Sequence, residues 1–512
     1  MDTFYRFLEI LFLSYFVVYN SVNLFFVVFS FSEVKRRVVG KAYEDLDMIM
    51  ESPFTPPISI IVPAYNEEKT IVESVSSLLN LRFPTFEIII VNDGSVDGTL
   101  RVLREAFEMR RVDINYTEGI TTAPVLGFYE SKRHVKDNII RIVLIDKENG
   151  GKADALNAGI NGSTCSYFVS IDADSVVDEI ALLQAFRVLL TNEDIIAIGG
   201  QVAILNGCEI EGGRIKRVRL PKSWIARFQI VEYIRSFTLG RTALSRLNCL
   251  LIISGVFGIF NKHYVERVGG YLTRHLTSKI TKEFTGYGKE TVCEDMEIIV
   301  RIHRYLKEKK LKKKIFYVPH PLCWTEAPED LSSLSKQRNR WHRGLMENVL
   351  FHKKMLFNPE YGRIGLFAFP YYAFFELLGA PVELLGYATL PLLFYFDKLN
   401  YTYLFLFFVF SVGYGVLVSV ASLVFSAWPE RGGKKEEPVE TLISFNTAGE
   451  IATLAGFAVM ENFGYRQATV FWRVRATVDF FTGKKGWEKF ERIGFPKDRG
   501  KRSEDEVARA VQ

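Results

Sequence analysis

Long unbroken apolar runs stand at both ends of the chain, and a stretch of short periodic patterns lies between them. The first run, LEILFLSYFVVYNSVNLFFVVFSF from Leu8 to Phe31, exceeds the roughly 20 residues that cross a bilayer as a helix. It has no basic leading segment and no small-residue cleavage site before the charges resume, so it reads as an uncleaved anchor. Lys35, Arg36 and Arg37 follow at once and place the next segment on the cytoplasmic side. Apolar runs return from Gly365 to Phe396, interrupted by Glu376, Pro381 and Glu383, and more cleanly from Tyr403 to Trp428. The former reads as one tilted span or as a span followed by an in-plane segment. Beyond the charged linker PERGGKKEEPVE, LISFNTAGEIATLAGFAVM is a weaker membrane candidate, and the tail from Gly483 is charged.

Between Ile58 and Ile204 the period changes. PISIIVPAYNEE is a β-branched strand running into a loop, and KTIVESVSSLLNL is an amphipathic helix. FEIIIVNDGSVDGT is a second strand and turn, with the helix TLRVLREAFEM behind it. RIVLID, SYFVSI and DIIAIGGQVAI continue the alternation. Strands buried on both faces with crossover helices predict an α/β fold with a mostly parallel sheet. In such sheets a ligand sits beyond the carboxyl ends of the strands. The polar residues gather at those ends: Tyr65, Asn66 and Glu67 after the first strand, Asn92, Asp93 and Gly94 after the second, Asp172 and Asp174 after a later one.

Composition changes this picture little. The net charge of +5 suits a face near anionic lipid or a phosphate-rich substrate, and no nucleic-acid-binding signature occurs. The five cysteines are odd in number and lack a CxxC pair, which fits structural thiols in a reduced compartment. No GxGxxG follows a strand, and GGK at Gly150 to Lys152 lacks both the Walker glycine spacing and the hydroxyl after its lysine.

The chemistry concentrates in KENGGKADALNAGINGSTCSYFVSIDADS, Lys147 to Ser175. A glycine turn leads to a helix, a short buried strand, and two aspartates one residue apart. Side chains at i and i+2 of an extended chain point the same way, so Asp172 and Asp174 converge. Two such carboxylates call for a positive partner, and a hard divalent cation, magnesium or manganese, is the candidate. The competing reading makes them a helix cap before SVVDEI. Further on, TVCEDMEIIVRIHRYLKEKK predicts a helix whose first turn carries Glu294 and Asp295, with Ile298, Ile299 and Ile302 as its apolar stripe. SKQRNRWHRGL puts Gln337, Arg340 and Trp341 on one helix face. That face offers planar contacts to phosphate oxygens and an indole platform for a sugar ring.

Taken in order, PAYNEE, VNDGSVDGT, KENGGKADALNAG, DADS, CEDMEI and QRNRW resemble the membrane-embedded family 2 glycosyltransferases, the group that includes cellulose, chitin, hyaluronan and poly-N-acetylglucosamine synthases. The resemblance implies a GT-A catalytic domain combined with transmembrane helices, a UDP-sugar donor, Mg2+ or Mn2+, and inversion at the anomeric carbon. It implies nucleotide-sugar contacts at Pro63, Tyr65, Glu67, Asp93, Lys152, Asp172, Gln337, Arg340 and Trp341, with Asp93 on the uracil. Asp174, beside Asp172, matches the metal ligand, and Asp295 the catalytic base with Glu294 as its neighbour. Ser254, Gly255 and Trp341 match the acceptor side. Two departures stand out: the base motif begins with Cys293 where cellulose-type enzymes have threonine, and the short charged tail gives no expectation of the C-terminal regulatory module of those enzymes.

The domain scheme that follows is an anchor over 1–34, a cytoplasmic catalytic domain over 35–360 that includes QRNRW, membrane and interfacial helices over 361–482, and a charged tail over 483–512. The expected protein sits in the cell membrane with several spans. It elongates a β-linked polysaccharide inside and passes the product through its own helices. A non-processive transferase acting on a lipid acceptor shares the same fold and motifs. A transport or scaffold protein with an inactive domain would show an eroded carboxylate set, yet Asp93, Asp172, Asp174 and Asp295 are all present.

Overall fold

The computed structural model describes residues 2–41, 46–114, 116–132, 136–211, 213–275, 290–427, 445 and 447–483. The linker after Trp428 and the charged tail therefore lie outside the described residues, as do the side chains of the basic triplet at Lys35 to Arg37. The chain forms two compact units. One collects Met1–Tyr43, Leu220–Cys249 and Pro328–Phe490, and the other is built from Glu44–Arg219 and Leu250–Ala327.

The second unit, the catalytic unit, holds twelve strands among its described residues: β1 (Ile58–Ala64), β2 (Phe86–Asp93), β3 (Met109–Val112), β4 (Val125–Ser131), β5 (Ile139–Lys147), β6 (Tyr167–Ile171), β7 (Ser175–Val177), β8 (Ile195–Ile204), β9 (Glu209–Glu211), β10 (Arg214–Arg217), β11 (Phe257–Asn261) and β12 (Lys314–Thr325). Ten of them form one sheet in the order β3-β4-β5-β2-β1-β6-β11-β8-β12-β7, and β9 and β10 make a separate hairpin. Only β4, β11 and β7 run against the remaining seven strands of that sheet. The predicted α/β class with a mostly parallel sheet is what the chain adopts.

The parallel centre explains where the site falls. β1 pairs with β2 and β6, and β2 pairs with β5, so their carboxyl ends reach one edge together. In register, Ala64 meets Asn92, Asn92 meets Asp146, and Asp93 meets Lys147. Every residue of β2 is buried, as the run FEIIIVND requires of a strand covered on both faces. Helix Lys152–Gly162 packs against β1 and β2. Gly159 permits this close approach, because a Cβ there would meet Ile61 at 2.3 Å. The stretch Ser175–Val177 is a strand and not the start of a helix, which removes the capping role considered for Asp172 and Asp174.

In the other unit, two helices among the described residues are long and apolar enough to cross a membrane, Tyr5–Phe31 and Tyr401–Ser426. Ile364–Leu377 and Gly379–Tyr395 form a pair bent by 41° at the break between them. The weaker candidate becomes helix Ala448–Met460, too short to span as it stands. Helix Leu331–Phe351, which carries QRNRW, packs on Tyr465–Phe481, and Trp224–Tyr233 packs on Ala448–Met460. These packings draw Leu220–Cys249 and the chain after Pro328 into the unit that holds the membrane-grade helices.

Candidate active site

At the carboxyl edge of the sheet, Lys152 opens helix Lys152–Gly162 directly after Gly151, whose φ of 90° favours glycine. Its ammonium contacts Asp172 at 2.6 Å and Glu294 at 3.2 Å. Burial alone works against that charge, but Asp172, Glu294 and Asp295 outweigh it and hold the lysine's pKa above its ordinary value. Asp172 ends the short run after β6 and remains partly open to solvent, while Asp174 is buried and accepts a bond from the Ser175 hydroxyl at 3.3 Å.

Glu294 and Asp295 sit in the first turn of helix Glu294–Glu308, as predicted. Asp295 Oδ1 accepts from the amide of Met296 at 2.9 Å, and Oδ2 accepts from the amide of Gly255 at 3.2 Å. A Cβ on Gly255 would lie 2.8 Å from the Lys152 ammonium, so a side chain there would displace the lysine. The loop that carries Gly255 and the Asp295 carboxylate are thus adjacent. Burial and the Glu294 carboxylate together push the Tyr271 phenol up, and burial with Asp172 and Asp174 does the same to the Cys323 thiol. Both groups are neutral walls of an acidic site.

Asp93, expected on the uracil, is held by the turn that follows β5. Its Oδ1 accepts from the Lys147 ammonium at 2.8 Å and the Gly150 amide at 3.0 Å. Its Oδ2 accepts from the Gly151 amide at 2.8 Å and the Asn149 side chain at 3.2 Å. All of the roughly four lone-pair directions of a carboxylate are filled. Glu67 is likewise turned inward, accepting from the Thr70 hydroxyl at 2.9 Å. Pro63 lies within β1, and Tyr65 is exposed just beyond it.

Gln337, Arg340 and Trp341 stand on helix Leu331–Phe351 of the other unit. There the Arg338 guanidinium lies over the Trp341 indole, 4.4 Å from its centroid, and pairs with Glu232 at 2.8 Å. Sequence reasoning missed Lys147, Asn149, Asp154 and Tyr271. Lys147 was visible as an apolar strand's last residue, a poor place for a charge unless partners wait there. Those partners come from separate elements.

Among the described residues, no three His, Cys, Asp or Glu side chains are disposed to share one metal ion. The donor chemistry of Asp174 and Asp172 nonetheless fits a hard divalent cation that takes one or two carboxylates and completes its shell with phosphate and water.

Two family models match the chain: Glycosyl transferase family 2 over residues 59–246 and Glycosyl transferase family group 2 over residues 167–428, the latter just over half of its length. The chain belongs to the family 2 glycosyltransferases. The poly-beta-1,6-N-acetyl-D-glucosamine synthase of Staphylococcus epidermidis is 28% identical over 293 residues, 57% of this chain and 55% of that protein. The synthase of the same name from Staphylococcus aureus (strain COL) is 27% identical over the same shares. The chain thus spans about half the length of the curated relatives it matches, 55%. Among solved structures, a mannosyltransferase from Pyrobaculum calidifontis in complex with GDP-Man and Mn2+ is 15% identical with a TM-score of 0.47, covering 93% of this chain and 100% of that one.

Proposed function

We propose that this protein is an inverting, membrane-bound transferase that moves N-acetylglucosamine from a UDP-sugar to the end of a growing β-linked glycan. The observation that carries the reading is Asp295, held by two backbone amides beside a lysine that three carboxylates surround. A base needs to be fixed, and both amides hold Asp295 in place at the first turn of its helix. Asp295 takes the proton of the acceptor hydroxyl as that oxygen bonds to the anomeric carbon. The bond from that carbon to the diphosphate breaks on the opposite face, and UDP leaves. No second carboxylate is needed as nucleophile, which suits a single displacement with inversion. Lys152 supplies the nearest positive charge to the leaving group, with Asp172 and Glu294 fixing its position. A bound Mg2+ or Mn2+ would neutralise the diphosphate, and Asp174 with Asp172 would hold it. The names of the relatives support N-acetylglucosamine as the sugar, the apolar helices support a membrane location with several spans, and Lys35, Arg36 and Arg37 after the first run support a catalytic unit inside. The same reading has the product pass through the protein's own helices.

Membranes carrying the protein should convert labelled UDP-N-acetylglucosamine with Mn2+ into a ladder of polymer. Excess chelator, or Asp174→Asn, should abolish that turnover. A lipid glycoside of one fixed mass as sole product would favour the non-processive transferase, and no transfer from any UDP-sugar of a panel would overturn the reading. Full activity in chelator would remove the metal from it.

A further inference from the structure

Lys147 has no exposed surface, and its ammonium makes three contacts. These are Asp93 Oδ1 at 2.8 Å, Asp154 Oδ1 at 2.7 Å and the Glu148 carbonyl at 2.7 Å. An ammonium has three protons to donate, so the group is saturated. Its partners belong to three separate pieces of the fold. Asp93 ends β2, Glu148 follows β5, and Asp154 lies in the first turn of helix Lys152–Gly162, where it also accepts from the Ala123 amide at 3.0 Å. A fully buried lysine between two buried aspartates is costly to assemble, and the same fold edge would pack more easily with apolar residues.

The geometry of the turn shows what the assembly fixes. Asp93 receives the successive amides of Gly150 and Gly151, a concave pair of the kind that binds anions. The sequence GGK resembles a phosphate cradle, but the protein's own carboxylate fills it. Neither edge of the turn has slack. A Cβ on Gly150 would lie 2.5 Å from Asp154, and one on Gly94 would lie 2.7 Å from the Asn149 amide nitrogen. The residue after this turn is Lys152, which faces Asp172 and Glu294.

We infer that Lys147 is a positioning residue for the transfer reaction: by clamping Asp93 and Asp154 it fixes the Asn149–Gly151 turn, and so sets where the Lys152 ammonium stands for the donor diphosphate. Lys147 itself has no exposed surface, so its effect reaches the reaction only through the residues it holds in place, with the turn before Lys152 among them. This rests on the proposed transferase reading.

Lys147→Met leaves two buried carboxylates without their cation and is expected to melt early. The informative variant is Lys147→Met with Asp154→Asn, which removes one charge of each sign and keeps the shapes. That pair should recover most of the lost melting temperature. Its KM for UDP-N-acetylglucosamine should still rise on the order of tenfold, with kcat changed much less, because a misplaced positioning element costs up to about 10²-fold. Asp154→Asn alone, which keeps an acceptor facing Lys147, should show a smaller rise of the same kind. UDP affinity, read by calorimetry on the full chain in detergent, should fall in parallel. A role in stability alone would move the melting temperature and leave the KM of the folded protein at the wild-type value, and that result would overturn the inference. A wild-type protein that neither binds UDP nor transfers sugar would instead defeat the proposed function.

Discussion

The unit with the membrane-grade helices and the sheet edge of the catalytic unit arrange buried charge in opposite ways. In the unit with the membrane-grade helices, cations and carboxylates meet one to one. Arg466 holds Glu383 through two parallel contacts, at 2.8 and 3.1 Å, Arg338 holds Glu232 at 2.8 Å, and Arg235 pairs with Glu461. At the sheet edge of the catalytic unit one ammonium, Lys152, serves Asp172, Glu294 and Asp295, with Asp174 close by in sequence. A matched pair offsets part of its own desolvation cost and asks for nothing further. A surplus of carboxylate has to be offset, either by backbone amides, as around Lys147, or by solvent, a metal ion or a substrate. Balance marks scaffold, and a surplus that solvent still reaches, as at Asp172, marks a place for chemistry.

The most damaging way to break that contrast is to unbalance the scaffold. Arg466→Ala strands Glu383, whose side chain is 8% exposed, and should destabilise the protein by about 3–5 kcal/mol, the usual cost of removing one partner of a buried pair. Replacing both, with Arg466→Met and Glu383→Leu, should recover most of that loss. The measurement is the melting temperature in detergent. An Arg466→Ala variant that melts with the wild type would mean that the pair is decorative.

Removing a charge from the surplus side should behave in reverse, with activity lost and stability kept. Asp295→Asn preserves size and still accepts the Gly255 amide, but it cannot take a proton. Transfer should fall by about 10²-fold or more while UDP binding persists. Should Asp295→Asn transfer at the wild-type rate while Glu294→Gln does not, the two acids have exchanged roles.

The scaffold strands were legible because their signal is local. Ile58–Ala64, Phe86–Asp93 and Tyr167–Ile171 are β-branched or apolar runs ended by polar loops, and the carboxylates at those ends declare the site edge. The start of helix Glu294–Glu308 was legible from its acidic first turn and isoleucine stripe. The direction of β11 was not, because FGIFN reads the same whether it pairs parallel or antiparallel, and only its neighbours β6 and β8 decide. Nor was the fate of Asp172 and Asp93. The spacing of DADS says that two carboxylates converge, but it cannot say that Lys152 claims the first of them. A buried lysine such as Lys147 needs partners 54 residues upstream and on the next helix, and no window of sequence holds all three. The pair Arg466 and Glu383, 83 residues apart, is hidden for the same reason.

The smallest test asks what becomes of a buried ionisable group that has no opposite charge beside it. His303 lies on helix Glu294–Glu308, is almost fully buried, and meets the Leu250 carbonyl at 2.8 Å. A carbonyl accepts, so the ring nitrogen facing it donates. Burial, seconded by the Lys307 ammonium four residues on, pulls its pKa down to about 4, although the bond to Leu250 works the other way. The ring is therefore neutral in the folded protein at any pH where an unfolded chain, with a histidine pKa near 6.5, begins to take up a proton. The sign follows: the contribution is complete above about pH 6.5 and is lost as pH falls from there towards the folded pKa, since the unfolded state binds the extra proton. At about pH 5.5 the loss should be about 1 kcal/mol, spread over no other group. His303→Gln keeps a donor for Leu250 and cannot titrate. Its melting temperature should drop less than the wild type's between about pH 7.5 and about pH 5.5. Parallel pH profiles for the two proteins would show that His303 is charged when folded, and that an unmatched charge is tolerated in the catalytic unit away from its site.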